Sequence, residues 1–334
     1  MADPYDFAIL GASPFASLLA GLLAHDHGKQ VLRIADPVSS QRLPRSIDLA
    51  LPFAARPAAW RLVRDGEAEM RAILSTLEAD RLLMPTDVQI VADTPQTQHA
   101  LAHIRHVAAG FGVRIRAGRF TGLSRLVGDI TLGGSKVQSA PSRDVVVGFT
   151  RAGAAALQIE GEELRAAQVV LADDAAILER LPEESRPALL VTEPMTATLT
   201  LPARRLAAPV MRFPDRGVTV LQRADLTVLA LVGGDGEVER RLASCLPGPF
   251  PLRRQATTRY RRLISRDGAP VIGRLRPSRL FIVAAMGDAG LFLAPAVARL
   301  LAGAATASEK AWFSAHDPAR ASREAIADVG GIAA

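Results

Sequence analysis

Three small residues near the start of the chain, Gly11, Ser13 and Ala16, have the spacing of a turn that cradles a dinucleotide. In such a turn the first position makes a tight bend, the second lets backbone approach a pyrophosphate, and the third lets helix and strand pack closely. Gly11 keeps the first role, and Ala16 is small enough for the third. Ser13 departs from glycine at the second, so its Cβ and hydroxyl are expected in space that phosphates use. Pro14 removes one N–H donor, at a position where proline suits a first helical turn. Asp36 follows Ala16 by 20 residues, where an acidic side chain accepts hydrogen bonds from ribose hydroxyls. The plainer reading is an aspartate that ends a strand before Pro37.

The elements that would position these residues are legible around them. Tyr5–Leu10 is a short apolar run with β character, Ser17–His27 reads as a helix stopped by Gly28, and Gln30–Ala35 reads as a second strand. Together they make a βαβ unit of about 30 residues. A second informative stretch lies near the other end. Asp267–Gly273 reads as a tight turn, and Arg279–Pro295 as a buried strand, a loop bearing Gly287 and Gly290, and a helix start. A helix start offers free N–H donors and the positive end of its dipole.

These two stretches, in this order, resemble the D-amino-acid oxidase/glycine oxidase family of FAD-dependent oxidoreductases. The resemblance implies an α/β fold: a Rossmann-like FAD-binding domain with an inserted, mostly antiparallel β-sheet substrate domain. It implies a discontinuous FAD domain over 1–75, 97–182 and 262–334, and a substrate or cap domain over 76–96 and 183–261. The cofactor would be FAD, held by Gly11, Ser13, Ala16, Asp36, Ala172, Gly287, Asp288, Gly290 and Leu291. The substrate would be a small amine or amino acid, oxidised at a C–N bond by hydride transfer to the flavin. By position, Arg262 matches the family's arginine that grips a substrate carboxylate, with Leu263 in place of the proline that usually follows. A guanidinium suits that task because its fork makes two parallel bonds to a carboxylate. Alternatively, Arg259, Arg261, Arg262 and Arg266 form a solvent-facing basic stripe.

Three places depart from the family pattern. Glycines of the cofactor loops are replaced at Ser13, Asp174 and Ala285. Asp173 and Asp174 follow the run Val169–Ala172, where the family has a small residue and glycine. Two carboxylates there either face the anionic linker of the cofactor, or point to solvent or cap the helix beginning at Ala175. Asp288 near the flavin would disfavour a reduced, anionic ring unless it points away. The alternative function is therefore a degenerate auxiliary or partner-binding subunit, for example of a dehydrogenase complex, with weakened or lost FAD binding and no catalysis of its own.

The middle of the chain carries less chemistry. Ile73–Leu83 reads as a helix, Val88–Ala92 as a strand, Gln96–Phe111 as a helix, and 144–149 with 155–159 as a hairpin turning at 151–153. His99, His103 and His106 share one helix face, a spacing compatible with a metal, yet no acidic or cysteine ligand accompanies them and a solvated face is expected. Short β-like runs recur at 189–191, 196–201, 218–221 and 226–232, as in an antiparallel sheet. A helix over Glu237–Cys245 leads to a rigid linker at Pro247, Pro249 and Pro251, and the tail from Ala319 is expected to fray.

Bulk properties narrow the classes. A chain of 334 residues, 49% apolar, is long enough for about two domains with a substantial core. Its net charge is +6, and all basic residues except Lys29, Lys136 and Lys310 are arginine. The arginines are scattered, aromatics are few and no nucleic-acid motif is present, so no nucleic-acid partner is expected. The single Cys245 permits no internal disulfide and fits a reducing, cytoplasmic setting. Asp3 and Asp6 stand where a secretory leader is basic, and no uncharged apolar run reaches about 18 residues, so no membrane span is expected.

Overall fold

The computed structural model describes residues 5–35, 51, 56–116, 118–127, 130, 132, 136–141, 145–149, 155–159, 161–234, 238–246, 253–276 and 278–321. Asp36, the turn at 151–153, the prolines at 247, 249 and 251, and the tail beyond 321 lie outside the described residues.

The chain begins β1 (Tyr5–Leu10), α1 (Pro14–His25), β2 (Val31–Ala35), α2 (Pro57–Thr76), β3 (Leu83–Ile90), α3 (Pro95–Gly110), β4 (Arg114–Arg116) and β5 (Arg119–Leu126). It continues with β6 (Val137–Pro141), β7 (Val145–Phe149), β8 (Ala155–Ile159), β9 (Glu162–Leu171), α4 (Asp174–Arg180), β10 (Leu190–Thr200), β11 (Val210–Phe213), β12 (Val218–Gln222) and β13 (Val228–Gly233). The last elements are α5 (Val238–Cys245), β14 (Arg254–Ser265), β15 (Val271–Arg274), β16 (Phe281–Ala284), α6 (Gly290–Ala302) and α7 (Ala307–Ser314).

The first sheet runs β15-β16-β9-β1-β2-β6, with the β7–β8 hairpin joined to β9. At its centre β1 pairs in parallel with β2 and β9, and β16 continues that parallel run. Strict alternation along the central strands explains why both faces are covered. Phe7 and Ile9 enter one apolar cluster with α1, α2 and α6, whereas Ala8 and Leu10 enter another with the β7–β8 hairpin and α4. Phe281 and Val283 likewise face the first cluster, and Ile282 and Ala284 the second. Period-two alternation with apolar residues on both faces marks a sheet buried between layers.

The second sheet runs β14-β10-β13-β12-β11-β3-β5-β4 and is antiparallel except where β11 meets β3. One of its faces continues the first cluster through Val88, Phe120, Val210, Leu221 and Leu229. The other closes under α5 through Phe213, Val220, Val232 and Leu242. The two sheets and their helices therefore have the mixed α/β architecture expected. β4 and β5, within 97–182, hydrogen-bond into the second sheet.

Several local expectations change. The helix expected over Ile73–Leu83 is the end of α2, which starts at Pro57 and stops because Glu78 turns left-handed at φ 54°. Asp80–Leu82 is a 3-10 turn, and the strand expected at Val88–Ala92 is β3, which begins at Leu83. The runs at 189–191 and 196–201 form one strand, β10, despite Pro194. Pro194 is tolerated because it lies just past the end of β13, whose register begins at Met195; its carbonyl still accepts from the Gly234 N–H at 2.8 Å. β6, unmarked in the sequence, extends the first sheet in parallel with β2. His99, His103 and His106 are exposed along α3.

Candidate functional site

The C-terminal ends of three adjacent strands define the site. Leu10 of β1 lies opposite Leu171 of β9, which in turn lies opposite Ile282 of β16. The loops that follow, at 11–13, 172–174 and 285–289, therefore leave the same edge of the sheet. Ligands of open α/β sheets bind outside such carboxyl ends.

Gly11, Ser13 and Ala16 occupy the β1–α1 turn as expected. Ser13 is the N-cap of α1, and its hydroxyl accepts from the Ala16 N–H at 3.2 Å. The hydroxyl is thus engaged in capping the helix. Pro14 holds the first helical position, where its missing N–H costs nothing.

The donors of this turn point to Asp173. Its Oδ2 accepts from the N–H of Ala12 at 2.8 Å and of Ser13 at 2.9 Å. Its Oδ1 accepts from the Ala176 N–H at 2.8 Å, capping α4. A Cβ on Gly11 would lie 2.8 Å from that same Oδ2 and 2.9 Å from the Ala16 Cβ, so glycine here makes room for the carboxylate as well as for the helix. Ala172 follows β9 directly and donates its N–H to the Leu10 carbonyl at 2.8 Å, fastening the two loops together.

Asp174 turns inward, so neither aspartate of the pair points to solvent. Its carboxylate accepts from the Leu263 N–H of β14 at 2.9 Å. Burial pushes its carboxyl up to about 6, with the Asp173 charge adding to the rise; the Leu263 N–H, Arg262 and the Ala285 N–H act in the opposite direction. Ala285 has φ 54°, a left-handed backbone that favours glycine.

Gly287 and Asp288 lie in the 3-10 turn Gly287–Ala289, and Gly290 and Leu291 open α6 with no side-chain cap on the helix. Asp288 forms an ion pair with Arg212 of β11, so its charge is neutralised from the second sheet. In the sequence Arg212 is marked only as a lone charge within the short run Val210–Phe213; its burial and its partner come from the fold. Burial, and then the nearby Arg262, lower the Arg212 guanidinium to about 10, which leaves it charged at neutral pH.

Arg262 lies on β14 directly opposite Glu193 of β10, and its Nε donates to that carboxylate at 2.6 Å. A substrate carboxylate would have to share or displace Glu193. Asp174, Arg262, Arg212 and Asp288 thus form a charged seam where the two sheets meet. Asp36, expected on the ribose, lies outside the described residues.

The frame suits a dinucleotide: the parallel strands, the tight turn at Gly11, the donors heading α1 and the uncapped start of α6 are all in place. One side chain, Asp173, opposes the pyrophosphate. A phosphate oxygen about 4 Å from this carboxylate would meet a repulsion of about 4 kcal/mol at an effective dielectric of about 20.

Comparison with known proteins supports the same frame. The chain is similar in structure to glycine oxidase from Geobacillus kaustophilus, with a TM-score of 0.66 at 18% identity over 93% of this chain and 98% of that one. It is also similar to L-proline dehydrogenase from P. horikoshii, with a TM-score of 0.69 at 15% identity over 95% and 98% of the two chains. L-amino acid deaminase from Proteus vulgaris matches with a TM-score of 0.67 at 15% identity over 96% and 95%. At these identities the likeness is one of fold. No curated protein matches the chain by sequence. The family model described as FAD dependent oxidoreductase, DAO, matches residues 29–304, and the chain therefore belongs to the DAO family of FAD-dependent oxidoreductases.

Proposed function

We propose that this protein oxidises a C–N bond of an amino acid or another small amine, with FAD as its cofactor. The observation that carries this reading is the meeting of three loops, at 11–13, 172–174 and 285–289, on one sheet edge beside the second sheet. Gly11, Ser13, Ala16 and Ala172 would hold the adenine-side linker, with Asp36 on the ribose. Gly287, Asp288, Gly290 and Leu291 would hold the flavin end. When bound, the cofactor supplies the two-electron acceptor that such chemistry requires.

The chain's own work is then positional. Arg262 would grip a substrate carboxylate, releasing Glu193 as it does so. Arg212 would keep Asp288 neutralised, so that negative charge developing nearby meets an ion pair rather than a bare carboxylate. The domain division expected from the sequence, with the cap over 76–96 and 183–261, would place the substrate between the two sheets. Oriented binding of a deprotonated amine needs no side-chain base of its own.

The test is a visible absorption spectrum of the purified protein, before and after addition of FAD and gel filtration. Flavin bands that survive filtration and bleach with an amino acid or secondary amine are the expected result. A protein that stays colourless after FAD addition would overturn the reading. Asp173 favours a second reading, an auxiliary subunit with weakened cofactor binding, because a carboxylate holds the donors that a pyrophosphate needs. In that case the colourless protein would co-purify with a catalytic partner subunit.

A further inference from the structure

We infer that Asp173 is a built-in occupant of the anion site at the head of α1, and that the pyrophosphate of FAD settles there only when this carboxylate swings out. The inference rests on the proposed use of FAD at this site, and deepens it. The N–H groups of Ala12 and Ser13 converge on one carboxylate oxygen at 2.8 and 2.9 Å, as two donors converge on a phosphate oxygen. Gly11 leaves the space that this oxygen fills. The second oxygen is held by the Ala176 N–H, so the side chain is fixed at both ends. A dinucleotide arriving at the turn meets a competitor of its own charge, tethered to the chain and always present.

Displacement has consequences beyond the turn. When Asp173 leaves, α4 loses its N-cap, and the adjoining Asp174, tied to the Leu263 N–H, feels the change. Cofactor binding is thereby coupled to the start of α4 and to β14, the strand that carries Arg262. Loading the cofactor site and opening the substrate site become linked events.

The experiment compares equilibrium FAD binding, read by quenching of flavin fluorescence, for the wild-type protein, Asp173→Ala and Asp173→Asn. Asp173→Ala vacates the donors and is expected to tighten FAD binding by at least about ten-fold. Asp173→Asn keeps a capping oxygen but removes the charge, and is expected to tighten it by a smaller factor. Melting without FAD provides an independent readout: Asp173→Ala should melt below wild type, because three N–H groups lose their acceptor. If Asp173→Ala does not fold, Asp173→Asn carries the test with the same sign. Equal, tight binding by all three proteins would overturn the inference and leave the FAD reading standing. Failure of every protein to bind FAD would overturn both.

Discussion

At the scale of single residues, two aspartates respond to pH with opposite signs. Asp174 has its folded value raised to about 6 from an ordinary 3.8, chiefly by burial. Its contribution to stability is fully present below 3.8 and is lost as pH rises through about 6, a loss of up to about 3 kcal/mol. Asp267 is the reverse. Burial raises it, but the two-pronged bond from Arg320 prevails and lowers it to about 2. Its contribution is present above 3.8 and is lost as pH falls through about 2. Urea midpoints measured between pH 4 and pH 7 should therefore show a downward component with rising pH that Asp174→Asn removes; an unchanged slope in the variant would contradict the assignment. Ala285 gives a simpler expectation. Its left-handed backbone at φ 54° favours glycine, so Ala285→Gly should raise stability by about 0.5 kcal/mol after the entropy cost of glycine, measurable by thermal melting.

At the scale of elements, the helices that back the first sheet are locked at two points. Gly66 of α2 meets the backbone of α6, where a Cβ would lie 1.7 Å from the Phe292 carbonyl oxygen. Neither backbone can give way there, so Gly66→Ala should destabilise the protein by about 3 kcal/mol or prevent folding. Arg299 of α6 supplies the other lock, bonding Glu69 of α2 at 2.7 Å and Glu309 of α7 at 2.6 Å. Glu309 is buried and also completes the capping box of α7 with Thr306. Arg299→Ala strands that carboxylate, and a cost of about 3 kcal/mol is expected in chemical denaturation. A loss below about 0.5 kcal/mol would place the pair among ordinary surface contacts.

At the scale of the whole molecule, one apolar cluster runs from α1, α2 and α6 into the second sheet. Sheets that share a core are expected to unfold together, so fluorescence and circular dichroism should trace one coincident denaturation curve. Two separated transitions would mean that the shared cluster contributes little. Among the described residues no single helix is long and apolar enough to cross a membrane. The C-terminal segment is pinned from within, since Arg320 reaches the fully buried Asp267 between β14 and β15.

What the chain's own order of residues determined is the frame. A tight glycine, a capped helix and alternating apolar strands are local features, and their physics acts over a few residues, so β1, α1, β2, β16 and the start of α6 were legible. The family resemblance was legible for the same reason. The occupants of the site were not. Asp173 reaches a residue 160 positions away, Arg212 meets Asp288 because the second sheet packs beside the first, and Arg262 meets Glu193 because β14 pairs with β10. A run of two aspartates permits solvent, cap or phosphate mimic alike. Only the packing of β9 beside β1 decides that one carboxylate takes the donors of the turn and the other is turned into the interior. Charge partners are selected by proximity in space and by loss of water, and neither is encoded in spacing along the chain.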